Sequence, residues 1–119
     1  MKTFLIIESN TVDQFIHEQI LRFHGIEKLQ IFQTLPKDWD FLKNITSPKT
    51  IVLLDMTTAM SEDWSTVKKP KEYLGELEVY VLYIMLTEAD KNKLRSYDSI
   101  KGFIEKPFTL DKLKEILED

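Results

Sequence analysis

Four residues in this chain have side chains suited to moving a phosphoryl group, and each follows a segment that reads as a strand. Glu8 closes the run Phe4 to Ile7, and Asp55 closes Ile51 to Leu54. Thr87 follows Glu78 to Leu86, and Lys106 follows Ile100 to Glu105. Two carboxylates held near each other favour a hard cation such as Mg2+, which takes oxygen ligands and keeps several waters. A cation beside Asp55 would hold a phosphate donor in line with the carboxylate. A threonine hydroxyl and a lysine ammonium could stabilise charge on the transferring group. Asp55 would then be the nucleophile, as carboxylates are in aspartyl-phosphate chemistry.

Such chemistry requires all four residues at one edge of the molecule, and the pattern of the chain supplies that edge. Phe4 to Ile7 and Ile51 to Leu54 are unbroken apolar runs, which predicts strands buried on both faces. Leu29 to Gln33 reads as a weaker strand, Glu78 to Leu86 as the longest and Ile100 to Glu105 as the fifth. Between them lie helical patterns. Val12, Phe15, Ile16, Ile20 and Phe23 recur at helical spacing, with Asn10 or Thr11 as a cap and Gly25 near the end. A short helix carries Trp39, Leu42 and Ile45, and another runs from about Glu62 to Lys69 before Pro70. Glu88 to Tyr97 is polar and helix-prone, and Thr109 caps a last helix bearing Leu110, Leu113, Ile116 and Leu117. Five strands alternating with five helices imply a parallel sheet with helices on both faces. In such sheets ligands bind beyond the carboxyl ends of the strands, where the four chemical residues stand.

Length and composition narrow the classes. The 119 residues predict one domain, 1–119, able to bury its own core. There is no cysteine, so disulfides and thiolate metal sites are excluded. The apolar run near the N-terminus is too short for a signal-peptide core or a membrane span, which predicts a cytoplasmic protein with no membrane partner. A net charge of −4 disfavours direct nucleic-acid binding. Lys68, Lys69 and Lys71 read as a solvated helix end. His17 and His24 read as packing or surface residues, and Phe15 and Phe23 as core.

The segments FLIIESN, IVLLD, IMLT and KGFIEKPFTLDKL together resemble the receiver domains of two-component response regulators, in order and spacing over nearly the whole chain. The resemblance implies a flavodoxin-like, doubly wound five-stranded parallel sheet of order 2-1-3-4-5 flanked by five helices. It implies Mg2+-dependent transfer of phosphate to Asp55 from a sensor histidine kinase or a phosphotransfer protein. Glu8 matches the first member of the family's acidic pair, and Thr87 the switch hydroxyl. Lys106 matches the phosphate-pairing lysine, before a proline often joined by a cis bond (here Pro107). Phe103 matches the aromatic switch. The metal ligands would be Glu8, Asp55 and the backbone carbonyl of Thr57. The family meets its downstream protein partner, and often a second copy of itself, on the face of the fourth helix, fifth strand and fifth helix. Here that face includes Lys91 to Tyr97, Phe103 and Leu110.

Three positions depart from the family pattern. Ser9 stands where a second carboxylate usually binds the metal, and a charge pair at ~4 Å is worth about 4 kcal/mol at an effective dielectric of ~20. The metal site should therefore be weak. Ala59 and Asp63 replace a common proline and glycine after the acceptor, and Glu88 follows Thr87 where small residues are common. The expectation is a stand-alone receiver that signals through protein contacts and is not an enzyme. The alternative is a phosphorylation-independent pseudo-receiver, with Lys106 neutralising Asp55 and Glu8 in a metal-free site. A haloacid-dehalogenase-like phosphatase ranks last, because Glu8-Ser9-Asn10 stands where that family has its DxD nucleophile motif.

Overall fold

The computed structural model describes residues 3–34, 50–57, 77–96 and 100–118. Among them, five strands form one parallel sheet: β1 (Thr3–Ile7), β2 (Leu29–Phe32), β3 (Thr50–Asp55), β4 (Leu77–Tyr83) and β5 (Ile100–Glu105). The order is β2-β1-β3-β4-β5, as the resemblance implies. Three helices are described: α1 (Thr11–Phe23), α2 (Glu88–Arg95) and α3 (Leu110–Glu118). The helices expected around Trp39 and Glu62 lie outside the described residues.

The unbroken apolar runs become the two central strands because successive side chains point to opposite faces, and both faces are covered. Leu5, Ile7, Val52 and Leu54 pack on one face with Val79, Val81 and Leu94 of α2. Phe4, Ile6, Ile51 and Leu53 pack on the other with Leu21 of α1 and Leu113 and Ile116 of α3. Every residue of β1 and β3 is buried.

Register sets where the strands end. Ile7 pairs with Leu54, so the next residues on each strand, Glu8 and Asp55, emerge side by side. Asp55 pairs with Leu82, and Tyr83 with Glu105, so Lys106 follows at the same edge. The amide of Lys106 donates to the Tyr83 carbonyl at 2.8 Å, and that of Glu8 to the Phe32 carbonyl at 2.9 Å. The order of strands reverses between β1 and β3, which opens the crevice there.

Helix α1 lies rotated from the expected orientation. Phe23 is 82% exposed, Val12 65% and Phe15 61%, whereas His17 and Leu21 are the buried residues. Phe15 and Phe23 are therefore not core. Polar anchors at the start of the helix set its rotation. The Asn10 side chain accepts from the Asp13 amide at 3.0 Å, the Gln14 side chain donates to the Glu8 carbonyl, and the Asp13 carboxylate reaches Lys106. Those anchors turn Asp13, His17 and Leu21, spaced four apart, toward the sheet. At the other end Gly25 takes φ +89°, a left-handed conformation that glycine adopts without a Cβ penalty and that stops the helix.

Candidate functional site

Three of the expected site residues converge. Glu8 leaves β1 with its side chain 1% exposed, Asp55 ends β3 at 5%, and Lys106 leaves β5 at 12%. The Lys106 ammonium lies 2.7 Å from Asp55 Oδ1 and 2.9 Å from Glu8 Oε1. It also lies 2.8 Å from Asp13 Oδ2, a carboxylate the strand-end reasoning did not include. Asp13 sits in the first turn of α1, so its side chain comes from a helix and approaches from the rim, 31% exposed. The signal was present in the sequence: an acid three residues after an Asn cap belongs to a first helical turn, which here directly follows β1.

The electrostatics follow from this packing. Burial pushes Glu8 above its usual pKa, against the pull of Lys106 and of the Asn10 amide, which donates to Glu8 Oε2 at 3.2 Å; nearby Asp55 adds to the rise. Burial alone would lower Lys106, but its hydrogen bonds to Asp13, Asp55 and Glu8 outweigh that and raise it. The lysine is therefore a permanent cation at neutral pH, and its partners hold it in place.

The Thr87 hydroxyl is engaged at the start of a helix and makes no hydrogen bond to this cluster among the described residues. Strand β4 ends at Tyr83 rather than Leu86, and Thr87 stands four residues further on as the N-cap of α2. Its hydroxyl accepts from the Asp90 amide at 3.1 Å, while the Asp90 carboxylate accepts from the Thr87 amide at 3.4 Å. This reciprocal capping box is encoded by Thr87-Glu88-Ala89-Asp90 itself. Phe103 is half-buried against the core, with the Arg95 guanidinium 5.4 Å above its ring, which ties α2 to β5. Thr57 lies two residues past the end of β3 and is exposed, as are Ser9 and Glu88. Ala59 and Asp63 lie outside the described residues. The Lys106–Pro107 bond is cis, as the resemblance implies.

His17 packs under the same edge. It is 2% exposed, its ring meets Phe108 edge to face at 5.6 Å, and Nδ1 has no hydrogen-bond partner among the described residues. Burial, reinforced by the nearby Lys106 charge, lowers its pKa to about 4 against the opposite pull of Asp13 and Asp55.

The donor set bears on a metal. Among the described residues no three acidic or imidazole groups are spaced to enclose an ion. Instead, three carboxylates converge on one ammonium. Three carboxylates against one ammonium still leave excess negative charge, and the acceptors are all oxygen. That suits Mg2+, which needs only one or two protein carboxylates.

No family model matches the sequence, and no curated protein matches it. Solved structures do. The Vibrio cholerae chemotaxis protein CheY4 superposes with a TM-score of 0.79 at 13% identity, over 99% of this chain and 97% of that one. A CheY-like receiver domain protein from Methanospirillum hungatei gives 0.76 at 19%, over 99% and 91%. The chain has the receiver fold. The receiver domain of a Pseudomonas aeruginosa sensor histidine kinase, solved with magnesium coordinated in its active-site cleft, gives 0.76 at 18%, over 98% and 93%. At these identities the likeness is one of fold, and the chemistry of this receiver-like chain must be argued from its own residues. None of its described helices is long and apolar enough to cross a membrane.

Proposed function

We propose that this chain is a response-regulator receiver that accepts a phosphoryl group on Asp55 and signals through contacts with other proteins. The observation that carries the reading is Asp55 at the carboxyl end of β3, beside Glu8 and 2.7 Å from the Lys106 ammonium. A carboxylate oxygen of Asp55 attacks the phosphorus of the donor. A new P–O bond forms as the bond to the leaving group breaks, and the leaving group departs as an imidazole from a phosphohistidine or as acetate from acetyl phosphate. Lys106 offers a fixed positive charge to the phosphoryl oxygens. Mg2+, held by Glu8, Asp55 and the Thr57 carbonyl, would supply charge neutralisation at the donor phosphate. The donor in the cell would be a sensor histidine kinase or a phosphotransfer protein. The chain would act as a switch and not as a turnover enzyme.

Intact-mass measurement after incubation with acetyl phosphate and Mg2+ tests this reading. One added phosphoryl group, absent from Asp55→Asn, is the expected result. If no adduct forms and beryllofluoride does not bind either, the reading fails. A phosphorylation-independent binding module then takes its place, a role that suits a lysine with three carboxylate partners.

A further inference from the structure

We propose that Asp13 is a positioning residue that holds Lys106 away from an incoming anion, so that the pocket rests in a latched state. The inference builds on the phosphoacceptor reading and concerns how that site is regulated.

An ammonium has three protons to donate and no acceptor. Those of Lys106 are matched by three carboxylate oxygens: Asp55 at 2.7 Å, Asp13 at 2.8 Å and Glu8 at 2.9 Å. No proton remains for a phosphoryl oxygen until one of these partners lets go. The three are unequal. Glu8 and Asp55 are 1% and 5% exposed, so water has little access to replace the ammonium there, and separating either from it is costly. Asp13 is 31% exposed, and water can take the place of the ammonium. Asp13 is therefore the partner released at least cost.

Its placement makes it a rim group. The Asp13 amide is fixed to the Asn10 side chain at 3.0 Å, so the carboxylate is anchored to the first turn of α1 and draws Lys106 toward that helix. It also adds a negative charge at the mouth through which a phosphate donor must enter, which opposes the approach of an anion. Both effects act in one direction: removing the Asp13 charge frees the lysine and lowers the barrier to the anion.

The test is beryllofluoride titration calorimetry in excess Mg2+, on the wild type, Asp13→Asn, Asp13→Glu and Asp55→Asn. Asp13→Asn is nearly isosteric and keeps the helix start. It should bind about fivefold more tightly, the upper range for releasing a part-exposed ion pair. Asp13→Glu should restore the wild-type affinity, which a merely structural role for the side chain would not do. In metal-free samples the side-chain NMR signal of the Lys106 ammonium, slowed in solvent exchange by its three partners, should exchange faster in Asp13→Asn. Binding by Asp13→Asn alone would also support the latch. If the wild type binds and Asp13→Asn binds equally or more weakly, the latch is wrong while the phosphoacceptor reading stands. If no variant binds, the latch is overturned, and the intact-mass adduct decides the phosphoacceptor reading separately.

Discussion

A hydroxyl can serve a helix end or a phosphate, and at Thr87 the geometry favours the helix end. Its oxygen accepts from the Asp90 amide in a reciprocal box, four residues past the end of β4. Replacing Thr87 with alanine should therefore cost about 1 kcal/mol of stability, the usual scale for an N-cap. Serine should retain most of it, and urea unfolding of the two variants measures the difference. If Thr87→Ala instead left stability unchanged and weakened beryllofluoride binding severalfold, the hydroxyl would belong to the pocket as the family resemblance suggested. Glu8, Asp55 and Lys106 were legible because each directly follows a segment that reads as a strand, and parallel register carries such residues to one edge. Asp13 was not, because a search of strand ends passes over a helix that starts four residues after one.

Among the elements, strands were easier to read than the faces of helices. β1 and β3 are buried on both sides, so their composition alone marks them. The apolar character of Ile84, Met85 and Leu86 predicts a β4 that ends three residues later than it does, yet Ile84 is 74% and Met85 87% exposed. Apolar character marks a strand only while something covers it. In α1 the larger apolar stripe lies outward, and the inward face is set by Asp13 and Gln14 at the site end. Leu21 is fully buried in the cluster it shares with Phe4, Leu53 and Leu113. Leu21→Ala should therefore cost about 2–5 kcal/mol through lost burial and the cavity left behind. Phe23→Ala should change stability by no more than ~0.5 kcal/mol, as surface substitutions do. Denaturant unfolding of both variants reads the rotation of α1 directly: a costly Phe23→Ala with a harmless Leu21→Ala would require the opposite face inward.

At the scale of the whole molecule, the strand edge and helix α1 are joined through charge, and that makes stability depend on pH. His17 lies between α1 and the segment that follows β5, against Phe108, where burial keeps it neutral. Its pKa is about 4 in the folded protein against 6.5 for an ordinary histidine. Between those values the unfolded chain holds more protons than the folded one, so stability rises with pH across the window. Above 6.5 the imidazole is neutral in both states and exerts no pH effect; as pH falls toward 4 the unfolded state gains a favourable protonation that the fold resists. The loss is on the order of 3 kcal/mol at ~1.4 kcal/mol per pKa unit. The charges that act on the ring are Lys106, which opposes protonation, and Asp13 and Asp55, which favour it. Glu8 works with the opposite sign: its pKa is raised, so the folded state holds more protons and stability falls as pH rises above 4.5. A difference between two proteins that both keep Glu8 removes that contribution. His17→Leu fills a similar place and cannot titrate. Its stability relative to the wild type, from urea unfolding, should improve steadily as pH drops from 6.5 toward 4. A gap that stays constant across that window would mean His17 is not held neutral by the fold. The edge would then have to open enough, at mild acid, to hydrate an imidazolium.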